Sequence, residues 1–447
     1  MNIKTPPSAA ANPFAAIMEN CPDKLEQYLK FYSPVDKKGR YLPYDELRHR
    51  VPSGLNHQIV WSLTKLSRSR QSSLVALGEP AMSCNYLSTP LIQKAISAVD
   101  RNTTTASLQW LISNVEEKLQ LDYLLNDLIE EESISSSQLE GAATTTQVAK
   151  ELIKRNRKPR SEDERMILGN YAMMLHAWAM REQPLSLELI TELHRVGVEG
   201  IDDSAYAPGQ LRSTNDIHVV NADGSIVHTP PPHDNLKHRL QDVIEWANSD
   251  HDNIDEHSYI HPMIKAIVLH FSIGYEHPFR DGNGRVARAL FYWFMFKKDF
   301  VAFRYIAISV LLKKAPVQYG KSYLYSETDQ MDLTYFIEYQ ASIITRAVET
   351  FKAAYKHAVL DIEEFNAWLG VTGLDKQLTD NQKAVLKMAK SGTQASFSSR
   401  DVEKYLGCSY NTAAAVLNAL VTLKLFSKTK QGREWLYALQ VQTSHAE

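Results

Sequence analysis

Helical periodicity is the feature that most constrains the fold of this chain, because runs typical of strands are few. Ile264, Ile267, Val268 and Phe271 recur at intervals of three and four, as the residues of one buried helix face do. The leucines between 121 and 128 repeat this spacing. The pattern predicts a mainly α-helical protein.

Length and charge narrow the class of protein. A chain of 447 residues exceeds the usual size of one hydrophobic core, so we expect two or three domains. The net charge is only −3, and bulk charge therefore does not indicate nucleic acid or a membrane as the main partner. The longest apolar run, Ala289–Phe296, is far shorter than the roughly 20 residues of a membrane span.

The cysteines and the N-terminal residues favour the cytoplasm. Cys21, Cys84 and Cys408 are far apart and form no C-x-x-C pair, which argues against a disulfide framework or a cysteine zinc site. Residues 1–14 lack the basic start and apolar run of a signal peptide. We therefore expect a cytoplasmic protein with a partly disordered N-terminus.

The clearest β signal is a hairpin. Residues 217–220 and 225–229 are rich in β-branched side chains and flank an Asp-Gly turn at 223–224. Prolines at 230–232 end the second strand, because proline cannot donate to a sheet ladder.

The C-terminal residues have a different character, and a boundary is expected near 369–380. We predict a helix at 381–389, a helix beginning near Ser398, a turn at 407–409, an alanine-rich helix at 411–423 and two strands within 424–439. This is the order of a winged helix-turn-helix. Residues 380–440 contain nine Lys/Arg and four Asp/Glu, a local charge of +5.

The excess of basic residues in this segment suggests DNA contact through residues 409–412, at the start of the second helix of the helix-turn-helix. The alternative is a module for protein interaction or packing. Three consecutive alanines at 413–415 favour the alternative, because they offer little chemistry for reading bases.

Residues 277–288 combine the groups that phosphate chemistry requires. Glycines around Asn283 let backbone N–H groups form an anion nest, and a helix N-terminus adds further donors. Arg285 and Arg288 are three apart and share one helix face. Asp281 suits a magnesium ion, and His277 suits a general base near neutral pH. Each fragment alone is more often structural; the combination favours a phosphate-transfer site.

This segment resembles the signature of the Fic family, His-Pro-Phe-x-Asp-Gly-Asn-Gly-Arg-x-x-Arg, at all nine fixed positions. Fic proteins are compact helical enzymes, most of which transfer AMP from ATP to Ser, Thr or Tyr hydroxyls of proteins. The resemblance implies His277 as general base, Asp281 as magnesium ligand, Gly282, Asn283 and Gly284 as the cradle of the α- and β-phosphates, Arg285 beside the reacting phosphate, Arg288 on the γ-phosphate, and Phe279 as a buried anchor.

Residues 136–141 match the family's inhibitory pattern, [Ser/Thr]-x-x-x-Glu-[Gly/Asn], at Ser136, Glu140 and Gly141. Their place before the signature resembles the second class of these enzymes. The resemblance implies that the Glu140 carboxylate enters the ATP site and pairs with Arg288, which leaves ATP bound unproductively. The alternative is a helix N-cap serine followed by a first-turn glutamate.

The segment Pro-Gly-Gln-Leu-Arg at 208–212 resembles the entry to the family's flap. We define the flap as residues 212–229. It is expected to hold the target segment by strand addition and to place the target hydroxyl at His277. The docking residues are then Gly209, Arg212, Ile217, His218, Val219 and Val220. An ordinary surface hairpin is the alternative.

Several further residues resemble the family more weakly: Asn170, His270, Tyr319, Tyr323 and 332–334. His270 is expected to be a buried hydrogen-bonding residue rather than a catalyst. Tyr319 and Tyr323 are expected either to border the adenine of ATP or to belong to the hydrophobic core.

The sequence therefore predicts a mainly α protein: a partly disordered tail (1–50), an N-terminal helical domain with an inhibitory helix (51–155), a Fic core with a hairpin flap (156–372) and a winged helix-turn-helix (373–447). The predicted activity is adenylyl transfer with ATP and Mg²⁺. The predicted target is a protein, which could be the chain itself. Binding to DNA and formation of a homodimer are left open, and binding to a membrane is not expected. AMP removal, phosphotransfer, and DNA-binding regulation with a nucleotide-sensing core remain alternatives.

Overall fold

A computed structural model describes residues 3–77, 83–113, 130–154, 157–201, 206–220, 224–253, 259–390, 396–431 and 434–440. The described residues are mainly α-helical, as predicted, and their strands form two-stranded antiparallel sheets. The chain divides into two compact units: residues 1–108 with 128–350, and residues 109–127 with 351–447. The predicted helix face at 121–128 lies outside the described residues. Among the described helices, none is both long and apolar enough to cross a membrane.

The first helices build a small core where we expected a partly disordered tail. They are α1 (Pro13–Asn20), α2 (Leu25–Leu29), α3 (Tyr44–Leu47) and α4 (His57–Ser69). Ile17, Tyr28 and Trp61 are almost fully buried together. Asn12 and Asn56 cap the starts of α1 and α4, which explains why a polar, alanine-rich segment is nevertheless helical.

A hairpin that the sequence did not predict follows, and helices come after it. The elements are β1 (Ser73–Ala76), β2 (Ser83–Tyr86), α5 (Pro90–Asn102), α6 (Thr105–Ser113), α7 (residues 130–139) and α8 (Thr146–Lys154). The β1–β2 strands are four residues each, too short for a clear alternation, and the paired residues Val75 and Cys84 are fully buried.

The central helices of the first unit position residues 277–288, the segment with the groups for phosphate chemistry. They are α9 (Glu162–Ala179), α10 (Leu187–Val198), α11 (Leu236–Asn248), α12 (Pro262–Glu276) and α13 (Asn283–Lys297), with β3 (Val219–Val220) and β4 (Ile226–His228) between α10 and α11. The periodic face predicted around Ile267 and Phe271 is confirmed, because both side chains are fully buried in α12. α12 packs along α13, whose side chains are also almost all buried. The turn between these two helices is therefore held by a rigid apolar base.

The flap strands are shorter than predicted. Val219 pairs with His228 and Val220 with Ile226, while Ile217 and His218 lie outside the ladder. In the register set by Val219 and His228, Ile217 would face Pro230, which has no N–H to donate. The predicted strand at 217–220 was therefore wrong in its first half. The turn residues 221–223 lie outside the described residues.

The remaining helices of the first unit begin after α13. They are α14 (Ser309–Leu312), α15 (Pro316–Thr328) and α16 (Thr334–Thr372), the last of which has residues in both units.

The second unit contains the elements predicted for the C-terminus, in the predicted order. They are α17 (Asp380–Lys390), α18 (Ser399–Leu406), α19 (Tyr410–Thr422), β5 (Phe426–Gln431) and β6 (Glu434–Leu439). Ser398 and Asp401 form a capping box at α18, and Ser409 caps α19. The core of this unit includes Leu417, Phe426 and Tyr437.

Candidate active site

The turn between α12 and α13, residues 277–282, is fixed by its backbone. His277 ends α12 in the left-handed conformation, with φ 47° and ψ 59°, and its N–H bonds to the Ile273 carbonyl at 3.0 Å. This conformation is uncommon for a residue other than glycine and is typical of strained functional turns. It directs the chain away from α12 and towards the start of α13.

Asn283 staples this turn from within. Its side-chain oxygen accepts from the Phe279 N–H at 2.8 Å, and its side-chain NH₂ donates to the Phe279 carbonyl at 2.9 Å. Asn283 is only 2% exposed, and Phe279 is fully buried, as expected for an anchor. The Asn283 side chain is therefore committed to the turn itself. In the predicted phosphate cradle, Asn283 would therefore contribute its backbone N–H rather than its side chain.

His194 holds the same turn from α10, although sequence reasoning did not single it out. Its ring stacks on Phe279 with centroids 3.8 Å apart. Its Nε2 lies 3.1 Å from the Asp281 carbonyl oxygen, and its Nδ1 accepts from the Gly209 N–H at 3.0 Å. One nitrogen thus faces an acceptor and the other a donor, which is the pattern of a neutral imidazole. Burial accordingly lowers the pKa of His194 to about 4.

His277 presents an unprotonated nitrogen. Its Nδ1 lies 3.2 Å from the Gly274 carbonyl oxygen, so Nδ1 carries the proton and Nε2 is left as the acceptor. Burial lowers the pKa of His277 to about 4, which keeps the ring neutral at physiological pH. A neutral ring with a free Nε2 is the form in which histidine accepts a proton.

Arg285 is a buried cation whose donors are only partly satisfied. The side chain is 1% exposed, and one terminal nitrogen, Nη1, donates to the Gly197 carbonyl oxygen at 3.0 Å. Nε and Nη2 have no hydrogen-bond partner among the described residues. Buried donors of this kind are costly unless a ligand satisfies them. The unsatisfied Nε–H and Nη2–H groups of Arg285 are therefore available to bind an anion.

Arg288 is held by the inhibitory segment. Its Nη2 lies 2.7 Å from Oε1 of Glu140, and its Nε donates to the Ser136 hydroxyl at 2.8 Å. Arg288 is 1% exposed. Burial alone would lower the pKa of Arg288, but the charge of Glu140 outweighs it and raises the pKa. Ser136 lies within α7 and Glu140 just beyond its end, so the alternative of an N-cap serine with a first-turn glutamate was wrong.

The Glu140 carboxylate lies directly over the start of α13. A Cβ added at Gly284 would come within 2.2 Å of Oε1 of Glu140, so only glycine leaves room for this carboxylate. Gly141 follows in the left-handed region with φ 105°, which ends the segment sharply. Of the predicted inhibitory pattern, Ser136 and Glu140 thus contact α13, and Gly141 ends the segment.

Contacts along α7 keep Glu140 in place. The buried Glu132 carboxylate accepts from the Ser309 N–H at 2.8 Å and from its hydroxyl. Asn170 donates to the Ser133 carbonyl at 2.8 Å, and Lys313 donates to the Gln138 side chain. The helix is therefore tied to α9 and to the α14 region.

Asp281 and Gly282 complete the turn. Gly282 has φ 77°, and its N–H bonds to the Asp281 carboxylate. Burial raises the pKa of Asp281. Among the described residues there is no group of three or more His, Cys, Asp or Glu side chains that could hold a metal ion. A single carboxylate fits Mg²⁺ bound jointly with phosphate oxygens rather than a resident metal.

A cavity of about 870 Å³ opens beside the turn; we call it the central cavity. Its lining includes Glu140, His277, Gly284, Val219 and Tyr319. His270 is fully buried behind it, with Nε2 2.8 Å from the Tyr319 hydroxyl, as expected for a hydrogen-bonding residue. Tyr323 also lines the cavity.

Arg212 joins the base of the flap to the turn. Its backbone N–H donates to the Pro278 carbonyl at 2.8 Å, and its Nε donates to the His277 carbonyl at 3.0 Å. Gly209 thus contacts His194 and Arg212 contacts the turn, while Val219 and Val220 line the central cavity. His218 is exposed, and its Nδ1 lies 3.4 Å from the Thr229 hydroxyl.

The residues that sequence reasoning missed are the histidines around the turn. His194 lies on an apolar helix face, where a histidine gives no pattern of its own. His228, at the end of β4, was included only as part of a strand. The signal available in both cases is a histidine at a position where the periodicity predicts a buried residue.

Part of the chain is similar to known proteins. The Fic/DOC family model matches residues 184–295, which include His194, the flap and the turn. Among curated proteins, the protein adenylyltransferase Fic of Drosophila virilis is 32% identical over 131 residues, covering 29% of this chain and 24% of that protein. The protein adenylyltransferase fic-1 of Caenorhabditis elegans is 32% identical over 117 residues, 26% of this chain and 20% of that protein.

The chain thus spans about a quarter of the length of the curated relatives it matches. Among solved structures, a Fic family protein from Desulfovibrio desulfuricans G20 is similar at 18% identity and a TM-score of 0.48, covering 79% of this chain and 97% of that one. The family match falls on the residues that form the turn, its anchors and the flap. Residues 184–295 therefore match the Fic/DOC family model, and part of the chain is similar in sequence to protein adenylyltransferases of that name.

Proposed function

We propose that the protein transfers AMP from ATP to a hydroxyl side chain of a target protein. One observation carries the proposal: the turn at 277–282 begins with a neutral His277 whose Nε2 is free, and α13, which follows the turn, carries a buried Arg285 with two donors unsatisfied among the described residues. A proton acceptor beside an anion site is what nucleotidyl transfer to a hydroxyl requires.

In the proposed reaction, the hydroxyl oxygen of the target attacks the α-phosphorus of ATP. The bond from the α-phosphorus to the bridging oxygen breaks, and pyrophosphate leaves. Nε2 of His277 takes the hydroxyl proton. Arg285 donates Nε–H and Nη2–H to phosphate oxygens, where negative charge develops.

The turn also suits the magnesium that accompanies ATP. Asp281 would hold the ion together with phosphate oxygens, and the Gly282 to Gly284 backbone would face the phosphates at the start of α13. When bound, the ion would supply charge neutralisation for the phosphates.

Glu140 restrains this activity in the proposed scheme. Its carboxylate occupies Arg288 and the space above Gly284, where a γ-phosphate would otherwise be bound. ATP then binds in an orientation that does not present the α-phosphorus to His277. The test is labelled ATP with wild type and Glu140→Gly: the substitution is expected to increase transfer of the label to protein.

Removal of AMP is the second activity that an observation favours. Glu140 and His277 line the same cavity, so a carboxylate is available to hold a water near a modified hydroxyl. An AMP-modified target incubated without ATP distinguishes the two activities. Release of AMP by wild type but not by Glu140→Gly would assign removal, and transfer of a γ-phosphate label would assign phosphotransfer.

We further propose that the C-terminal unit contacts DNA. Tyr410, Asn411 and Thr412 are exposed at the start of α19, and Lys430 is exposed on β5 of the same unit. Fluorescence anisotropy with a random-sequence duplex tests this. Binding that weakens steeply with salt, and weakens further in Lys430→Glu, is expected. No binding at low salt would favour a packing or protein-interaction role.

We place the protein in the cytoplasm, where the free thiols of Cys21, Cys84 and Cys408 would remain reduced. Self-modification would appear as label on the chain itself in the ATP experiment. A homodimer would appear as twice the chain mass by light scattering.

A further inference from the structure

The final residue of β4, His228, is enclosed by acceptors. Its Nδ1 lies 2.9 Å from Oε2 of Glu327 in α15, and its Nε2 lies 2.8 Å from the Tyr275 carbonyl oxygen in α12. The side chain is only 9% exposed. A carboxylate and a carbonyl can only accept, so both ring nitrogens must donate. The ring in this arrangement is an imidazolium.

This imidazolium connects the flap to two walls of the central cavity. Tyr275 lies two residues before His277, and Glu327 and His228 both line the cavity. His228 is also the ladder partner of Val219. The strand that would receive a target segment, β3, is therefore attached to the rest of the site through its pairing with β4 and hence through His228.

The structure assigns a positioning role to His228: we propose that its two hydrogen bonds, to Glu327 and to Tyr275, fix the flap in the geometry that docks the target segment. This inference rests on the proposed function, because it concerns the surface that would present the hydroxyl to His277. It concerns docking only and leaves the proton transfer to His277.

The charged groups around His228 make this attachment dependent on pH. Burial lowers the pKa of His228, but the hydrogen bond and charge of Glu327, the Tyr275 carbonyl and the charge of Glu276 outweigh it, and the net shift is upward from 6.5. The neighbouring His277 is neutral at these pH values. A raised histidine pKa means that the attachment is complete below about pH 6.5 and is lost as the pH rises through the folded-state pKa.

Hydrogen exchange on the full chain tests the inference. Protection factors, corrected for the intrinsic pH dependence of exchange, are measured at Val219, Val220 and Ile226 between pH 6 and 9. Wild type is expected to lose protection as the pH rises. In His228→Gln, the protection factors at pH 6 are expected to be at least about tenfold lower than in wild type, because at least one charge-assisted bond is gone. They are expected to show no further pH-dependent loss.

Two further variants sharpen the test. Glu327→Gln keeps the size of the acceptor but removes its charge, so the transition is expected at lower pH. His238→Gln is the matched control, because His238 is an exposed histidine of α11, outside the flap. It is expected to behave as wild type. Protection at α12 amides reports whether each variant is folded.

Wild-type protection in His228→Gln, or a transition that persists in it, would overturn the inference. The measurement uses neither ATP nor a target, so its failure would not bear on AMP transfer. Conversely, absence of label transfer by Glu140→Gly would defeat the proposed function and leave the exchange result standing.

Discussion

Replacing Glu140 is the perturbation whose effect follows most directly from the geometry. Glu140→Gly removes the carboxylate from Arg288 and clears the space above Gly284. Arg288 keeps its two hydrogen bonds to Ser136, and the Nη2–H that had bonded to Glu140 no longer has an acceptor. The arginine then becomes available to an incoming γ-phosphate.

The magnitude follows from the pair that is broken. The Nη2 to Oε1 distance is 2.7 Å, and the side chains of Arg288 and Glu140 are 1% and 26% exposed. A charge-assisted hydrogen bond in such surroundings contributes about 1.5–3 kcal/mol. At about 1.4 kcal/mol per decade, the initial rate of AMP transfer should rise by roughly 10- to 100-fold.

The assay is the initial rate of incorporation of α-labelled ATP into protein at saturating magnesium. Glu140→Gln keeps the size and loses the charge, and should give an intermediate rate. Glu131→Gly removes an acidic side chain from the start of α7, away from Arg288, and should stay close to wild type. A Glu140→Gly rate equal to wild type, or an equal gain in Glu131→Gly, would refute the reasoning.

Three further outcomes are expected. Because the pKa of His277 is lowered to about 4, the pH–rate profile should have no acid limb near 6.5, and on the acid side the activity should fall only as the pH approaches about 4; an acid limb near 6.5 would contradict this. Asn283→Ala leaves the buried Phe279 N–H and carbonyl without partners, and should lower the free energy of unfolding in urea by about 2–4 kcal/mol; a change below 1 kcal/mol, on the order of one lost surface bond, would count against the staple. His194→Phe keeps the stacking on Phe279 but loses both hydrogen bonds, and should lower kcat of Glu140→Gly by about tenfold; His194→Gln should recover part of it, and equal activity in both variants would oppose a positioning role.

The sequence predicted the helical elements where the periodicity or the capping residues were local. The face at Ile267 and Phe271 and the order of helices and strands from 380 to 439 need no distant partner to be recognised. The signature turn was recognised for the same reason, because its residues are contiguous.

What the sequence did not predict depends on distant contacts. The N-terminal helices are stabilised by packing around Trp61, which local composition does not show. Ile217 is excluded from the flap ladder by a proline thirteen residues later in the chain. The protonation states of His194 and His228 depend on the Asp281 carbonyl and the Glu327 carboxylate, which are distant in the sequence.

The identity of the transferred group is the most direct test of the central claim. Glu140→Gly and the double variant Glu140→Gly with His277→Ala are incubated with magnesium and with ATP labelled either at the α- or at the γ-phosphate, and labelled protein is counted. We expect α-label on protein from Glu140→Gly, none above background from the double variant, and no γ-label from either. Transfer of γ-label, or α-label retained without His277, would contradict the account.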